Sequence, residues 1–224
     1  MMRKLLPLIF PAVLFFSGCQ GTIFTEISKP YQSNVSRDVK PVIEDKKDQP
    51  VPRVYVYQEK SPSFKAYIPS GWMGDWKDVI FDDAWVGGVS GSKSCIKIEY
   101  VAHKSQGLGW AGLYWQYPAN NWGGVKDGGR DLRGAKRLVF WAKGEKGGEV
   151  ISEFVVGGIR GKYFDTTRES LGPVVLTKDW QRYEISLKGN NLKRVSGGFA
   201  WTANLKDNPA GATFYLDDVY YEWQ

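Results

Sequence analysis

The sequence predicts an all-β domain, a sandwich or a barrel, preceded by segments that do not belong to it. Three observations carry this. Apolar residues recur at alternate positions in several short runs, and no segment keeps a helical period. Turn residues punctuate the chain closely, with 26 glycines and 11 prolines in 224 residues. Aromatics make up 15% of the chain, a composition suited to β-layers around a substantial core.

The chain opens with a leader. Arg3 and Lys4 precede Leu5 to Phe16, an apolar run too short for a membrane span and interrupted by Pro7 and Pro11. Phe16-Ser17-Gly18-Cys19 resembles the lipobox of bacterial lipoproteins, in which a cysteine is lipidated after cleavage before it. Residues 1–18 are thus expected to be a lipoprotein signal peptide, with an ordinary secretory leader as the alternative. Cys19 is the lipidation site, and the acyl chains would hold the protein to a membrane. Gln20 after it points to the outer membrane where the cell has one. Residues 19–52 hold Pro30, Pro41, Pro50, Pro52 and the run Glu44-Asp45-Lys46-Lys47-Asp48, with few large apolar groups. Such a segment buries too little surface to offset chain entropy, so it reads as a lipidated flexible tether.

The β-domain is expected over 53–224. Val54 to Tyr57 is strand-like, Tyr67 to Trp76 reads as a loop, and Val79-Ile80-Phe81 is a short apolar run. In Ser94 to Val101, Ile96, Ile98 and Tyr100 share one side and Lys97 and Glu99 the other, a half-buried strand. Asp127 to Gly134 is a polar loop. Arg137 to Ala142 and Glu149 to Val156 are strands joined by a glycine-rich connection of hairpin length. Gly157 to Gly172 is a long loop with Arg160, Lys162, Tyr163 and Asp165. Val174 to Leu176, Trp180 to Leu187, Gly198 to Thr202 and Thr213 to Trp223 complete the strands.

One stretch stands out chemically. Gly107 to Gly124 holds Trp110, Tyr114, Trp115, Tyr117, Asn120, Asn121 and Trp122 without a charged side chain. Flat rings beside amides suit a sugar, whose C–H face stacks on an aromatic and whose hydroxyls need donors and acceptors. The same rings also suit a β-core, a reading that applies first to Trp110 and Tyr114 in the strand. Trp122 sits in the polar turn after Pro118, where function is the better reading.

Composition narrows the rest. The net charge of +6 is spread among acids without a basic stripe, so nucleic acid is not the expected partner. A single histidine, His103, excludes a histidine-rich zinc site and leaves one base for any catalytic triad. Cys95 lies in a strand as a small buried thiol and is not expected to pair with Cys19. On the closing strand strict alternation puts Asp217 on one face and Asp218 on the other, so a carboxylate falls among apolar neighbours either way. Calcium, backbone N–H donors or an arginine would satisfy it.

Asp-Leu-x-Gly-Ala-Lys-x-Leu-x-Phe-Trp-Ala (131–142), Leu-Thr-Lys-Asp-Trp (176–180), Tyr-Glu-Ile-Ser-Leu (183–187), Gly-Gly-Phe-Ala-Trp (197–201) and Phe-Tyr-Leu-Asp-Asp-Val (214–219) together resemble the galactose-binding-domain-like jelly rolls. Within them, the likeness is to carbohydrate-binding modules attached to bacterial polysaccharide-degrading enzymes. It implies a jelly-roll β-sandwich of two antiparallel sheets and a structural calcium held by an aspartate of the closing strand, for which Asp217 is the candidate metal ligand, and by carbonyl oxygens near the start of the domain. It also implies a polysaccharide or other glycan as ligand. The candidate ligand-binding residues are Trp115, Tyr117, Asn121 and Trp122, helped by Trp72, Trp76, Arg160 and Trp201. The alternatives are an envelope protein partner docking on the same aromatics and a glycoside hydrolase. For the hydrolase Asp82, Asp83, Glu99, Glu153 and Asp165 are available, but no motif singles out a pair.

Overall fold

A computed structural model describes residues 52–59, 66–123 and 126–224. The leader, Cys19 and all but the last residue of the tether lie outside the described residues. Alternation of side chains sets the layers. In β4 (Ser94–Tyr100), β5 (Trp110–Gln116), β6 (Arg137–Gly144), β12 (Gly197–Asn204) and β13 (Ala212–Glu222), every second side chain is apolar, so each strand offers one face for burial.

Two antiparallel sheets result, in a jelly-roll β-sandwich. Sheet one runs β11 (Gln181–Ser186), β6, β13, β4 and β3 (Val79–Val86), and β1 (Arg53–Tyr57) pairs the second half of β13. Sheet two runs β2 (Ile68–Gly74), β5, β12, β8 (Glu153–Gly157) and β9 (Arg168–Leu171). β7 (Val150–Ile151) and β10 (Val174–Val175) form a short separate pair. The core between the sheets holds Ile96, Ile98, Leu138, Phe140, Phe214 and Leu216 from one side. Leu113, Trp115, Phe154, Phe199 and Trp201 come from the other. Phe140 meets Phe154 and Phe199 across it, with ring centroids 4.6 and 5.3 Å apart.

Three sequence expectations change. Tyr67 to Trp76 is not a loop: β2 pairs β5 from Ile68 to Gly74 as the edge of sheet two. Its two glycines and its proline weaken the strand signal, and β5 supplies the ladder. The glycine-rich connection after β6 is not a hairpin, because β6 and β8 belong to different sheets. The closing strand also does not alternate to its end. Its register shifts between Asp217 and Tyr220, and Asp218 takes φ 44°. This bulge inserts one residue, so Phe214 and Leu216 face inward, and Val219 and Tyr221 do so after it. Aspartate tolerates the left-handed conformation better than most residues, which suits Asp218 to the bulge.

Candidate functional site

The parity of β5 decides which aromatics are available. Ala111, Leu113 and Trp115 face the core, so Trp110, Gly112, Tyr114 and Gln116 lie on the outer face of sheet two. Trp115 is therefore not a stacking residue. It is 2% exposed and packs against Phe81 and Phe199 at 5.9 and 5.6 Å. Trp201 is corrected in the same way. It is fully buried, with its ring edge-on to Phe214 at 5.0 Å, because β12 sends Phe199, Trp201 and Ala203 inward. Trp110, which sequence alone left between core and function, is 36% exposed on the outer face.

Across that face the nearest neighbours on β12 are small. Ala200 sits between Tyr114 and Val155, and Thr202 between Gly112 and Glu153. Gly71 and Met73 of β2 flank Tyr114 and Gly112 on the other side. A floor of small side chains thus runs along β5, with Trp110 at one end and Tyr114 near the other. Four residues at ~3.4 Å rise separate these two by roughly 14 Å.

The loop after β5 builds the second end. Gln116 Nε2 donates to the Asn121 carbonyl at 3.4 Å, and the Asn120 N–H donates to Ser70 Oγ at 3.0 Å, folding the loop back over β2 and β5. Asn121 is buried and its Nδ2 donates to the Lys126 carbonyl at 2.9 Å, so it holds the loop and is not itself offered to a ligand. Trp122 then stands edge-to-face with Tyr114, centroids 5.9 Å apart at 88°, and stays 46% exposed. Gly123 is what allows this turn. It takes φ +79°, and a Cβ there would run into the Arg160 carbonyl. Tyr163 N–H donates to the Gly123 carbonyl at 2.7 Å, tying this loop to the one between β8 and β9. At the far end Gly74, at φ +62°, lies against Trp110, where a Cβ would strike the Trp110 carbonyl.

Polar groups border the rings. Tyr114 O–H donates to the Gly157 carbonyl at 3.0 Å, and burial pushes its pKa up to about 12. Arg168 pairs with Glu153 at 2.6 Å on the same outer face. Asp165, buried below the β8–β9 loop, accepts from the N–H groups of Ile159, Ser196 and Gly197. Burial raises its pKa and these donors oppose the rise without cancelling it. Arg160 is exposed on the same loop.

The remaining predicted residues lie elsewhere. Tyr117 is covered by the Arg130 guanidinium, 3.5 Å above its ring. Trp72 and Trp76 do not join the face. They sit at the β2–β3 edge of the sandwich with Lys77 and Val79, around a concavity of about 540 Å³, and Trp72 meets Phe81 edge-on at 6.0 Å. Asp217 lies on the outer side of sheet one, fully buried. Its Oδ2 accepts from Val89 N–H at 2.9 Å and its Oδ1 from Asp218 N–H at 2.8 Å. Among the described residues no group of three or more carboxylate, histidine or cysteine side chains is arranged to hold a metal. Backbone N–H groups thus meet both oxygens of the Asp217 carboxylate.

Sequence reasoning passed over Met73, Thr202 and Arg168, which complete the face with Glu153, a residue it had weighed only as a hydrolase carboxylate. Their signal is cross-strand register, which a single strand read alone does not carry.

No family model matches the chain, and no curated protein matches it in sequence. Solved structures do. The chain is similar to the family 30 carbohydrate-binding module of a cellulosomal cellulase of Clostridium thermocellum. That match has 13% identity, covers 76% of this chain and 97% of that one, and has a TM-score of 0.52. A second structure of a family 30 carbohydrate-binding module matches at 14% identity, over 78% of this chain and 100% of that one, with TM-score 0.52. At these identities the likeness is one of fold.

Proposed function

We propose that this protein is a non-catalytic carbohydrate-binding lipoprotein, which lays a polysaccharide along the outer face of sheet two. The observation that carries the reading is the pair of uncovered indoles, Trp110 and Trp122, at the two ends of a floor of small residues. Among the described residues no ring or cation stacks on Trp110, and Trp122 meets only the Tyr114 ring. A sugar ring finds there a flat apolar surface, with Thr202, Glu153 and Arg168 within the same strand rows as hydroxyl partners. The fold likeness to carbohydrate-binding modules supports the same reading.

Each stacking contact is worth on the order of 1 kcal/mol, so a single site would be weak. Lipidation at Cys19 and display at the outer membrane, with 19–52 as spacer, are part of the proposal and would convert weak sites into avidity.

Four of the five carboxylates weighed for a hydrolase already have protein partners. Glu153 is paired with Arg168, Glu99 with Lys97, Asp82 accepts from Ala84 N–H, and Asp165 is used by three N–H groups.

A second reading, a protein-docking lipoprotein, draws on the edge patch. Trp72, Trp76 and Ile80 are exposed there at 37%, 47% and 56%. Affinity electrophoresis through gels containing soluble polysaccharides separates the two. The glycan reading expects retardation that Trp110→Ala and Trp122→Ala each reduce by about tenfold, ~1.4 kcal/mol, and that Trp76→Ala leaves intact. No retardation on any polysaccharide, with a protein captured through Trp76, would favour the second reading.

A further inference from the structure

The proposed face ends against a basic cavity. The β8–β9 loop and the start of β9 form an open concavity of about 390 Å³, whose lining includes Ile159, Arg160, Phe164, Asp165, Thr167 and Arg168. This cavity adjoins the ring pair, since the Arg160 carbonyl abuts Gly123 and Tyr114 O–H reaches the Gly157 carbonyl. Arg160 is exposed and has no ion-pair partner among the described residues. Arg168 runs its stem over Gly158, within 3.1 Å of where a Cβ would lie, and spends one Nη on Glu153 in a surface pair. A guanidinium has five donors, so most of Arg168 stays available.

The local charge balance is one-sided. From 158 to 168 the cations are Arg160, Lys162 and Arg168, and the one acid is Asp165. Asp165 is buried and turned to three backbone N–H groups, so it does not offset them at the surface. Glu169, next along β9, is in register with Val156 on the other face of the sheet. Arg194 adds a further cation beside Phe164, paired with the exposed Asp127 at 3.6 Å. Unpaired guanidinium beside an exposed aromatic recognises a planar carboxylate attached to a ring.

We propose that the polysaccharide bound here is acidic, with a uronate ring on Trp122 and its carboxylate between Arg160 and Arg168. This rests on the glycan reading above and narrows it to a substrate class. The net charge, +6 for the whole sequence and +4 once Arg3 and Lys4 leave with the leader (6 − 2), would also steer a polyanion to the protein.

The test is affinity electrophoresis of the full chain on polygalacturonate, alginate and a glucuronate-containing polysaccharide, each beside its carboxyl-reduced counterpart. The expected result is retention of at least one uronate polymer, about tenfold weaker after carboxyl reduction and about tenfold weaker in Arg160→Gln. Trp122→Ala should lose it, and Lys104→Gln, a cation of another loop, should not. Equal retention of a polymer and its reduced form, with Arg160→Gln unchanged, overturns this inference and leaves the glycan reading standing. Uronate retention indifferent to Trp122→Ala means diffuse ion exchange and also overturns it. Retention of no polysaccharide in either form defeats both.

Discussion

The outer faces of both sheets carry aromatic rings, and they differ in what meets those rings. On sheet one four rings have a cation over them. Lys97 lies 4.2 Å over Trp85, Lys143 serves both Trp180 and Tyr215, and Arg53 lies 4.4 Å over Tyr220. Its carboxylates are also engaged: Asp217 is held by backbone N–H groups and Glu145 accepts from Tyr215 O–H at 2.6 Å. On sheet two no described cation lies over Trp110 or Trp122. The comparison teaches that an aromatic count says little about binding. What matters is whether the chain has already given each ring a partner.

The largest expected effect comes from exchanging face for core. Trp201→Ala removes a fully buried indole and should cost about 3–5 kcal/mol of stability, read from denaturant midpoints. Trp110→Ala, on the open face, should cost under about 1 kcal/mol on the same measurement. Comparable losses would erase the distinction between inward and outward rings of adjacent strands.

Next is the backbone that sets the open face. Gly123→Ala places a methyl against the Arg160 carbonyl at a positive φ, so the turn carrying Trp122 must shift. A loss of about 1–3 kcal/mol is expected, together with loss of polysaccharide retention. Retention at the level of the unmodified protein would show that the loop does not position Trp122 for binding.

The smallest effect sharpens the closed face. The pKa of Asp218 is raised by burial first and then by the charge of Asp217. Folded Asp218 therefore binds its proton more tightly than the unfolded chain does. Its contribution is fully present below the ordinary carboxylate pKa near 3.8 and is lost as pH rises through the higher folded value. Between about pH 4 and pH 7, Asp218→Asn should lose less stability than the unmodified protein in urea denaturation. Equal losses would mean that this carboxyl does not feel sheet one's covered side.

Much of the fold was legible in the sequence. Ile96, Ile98 and Tyr100, and Leu138, Phe140 and Ala142, announce their inward faces by alternation alone. Less of the site was. The stretch from Gly107 to Gly124 drew attention correctly, yet Trp115 and Trp110 exchange roles once β5 fixes parity, because a run of consecutive aromatics does not declare which of its two faces is buried. Arg130 over Tyr117, and the Asp218 bulge that redirects the closing strand, depend on partners distant in sequence. No local pattern encodes them.

The most direct test of the open face is a titration of the tryptophan indole N–H signals by NMR, each assigned from its single Trp→Phe variant. The titrant would be an oligosaccharide cut from whichever polysaccharide the protein retains. The open-face account predicts that the signals of Trp110 and Trp122 move, and that those of Trp85, Trp115 and Trp201 stay in place. Movement confined to Trp85, or to Trp72 and Trp76, with Trp110 and Trp122 unmoved, would contradict it.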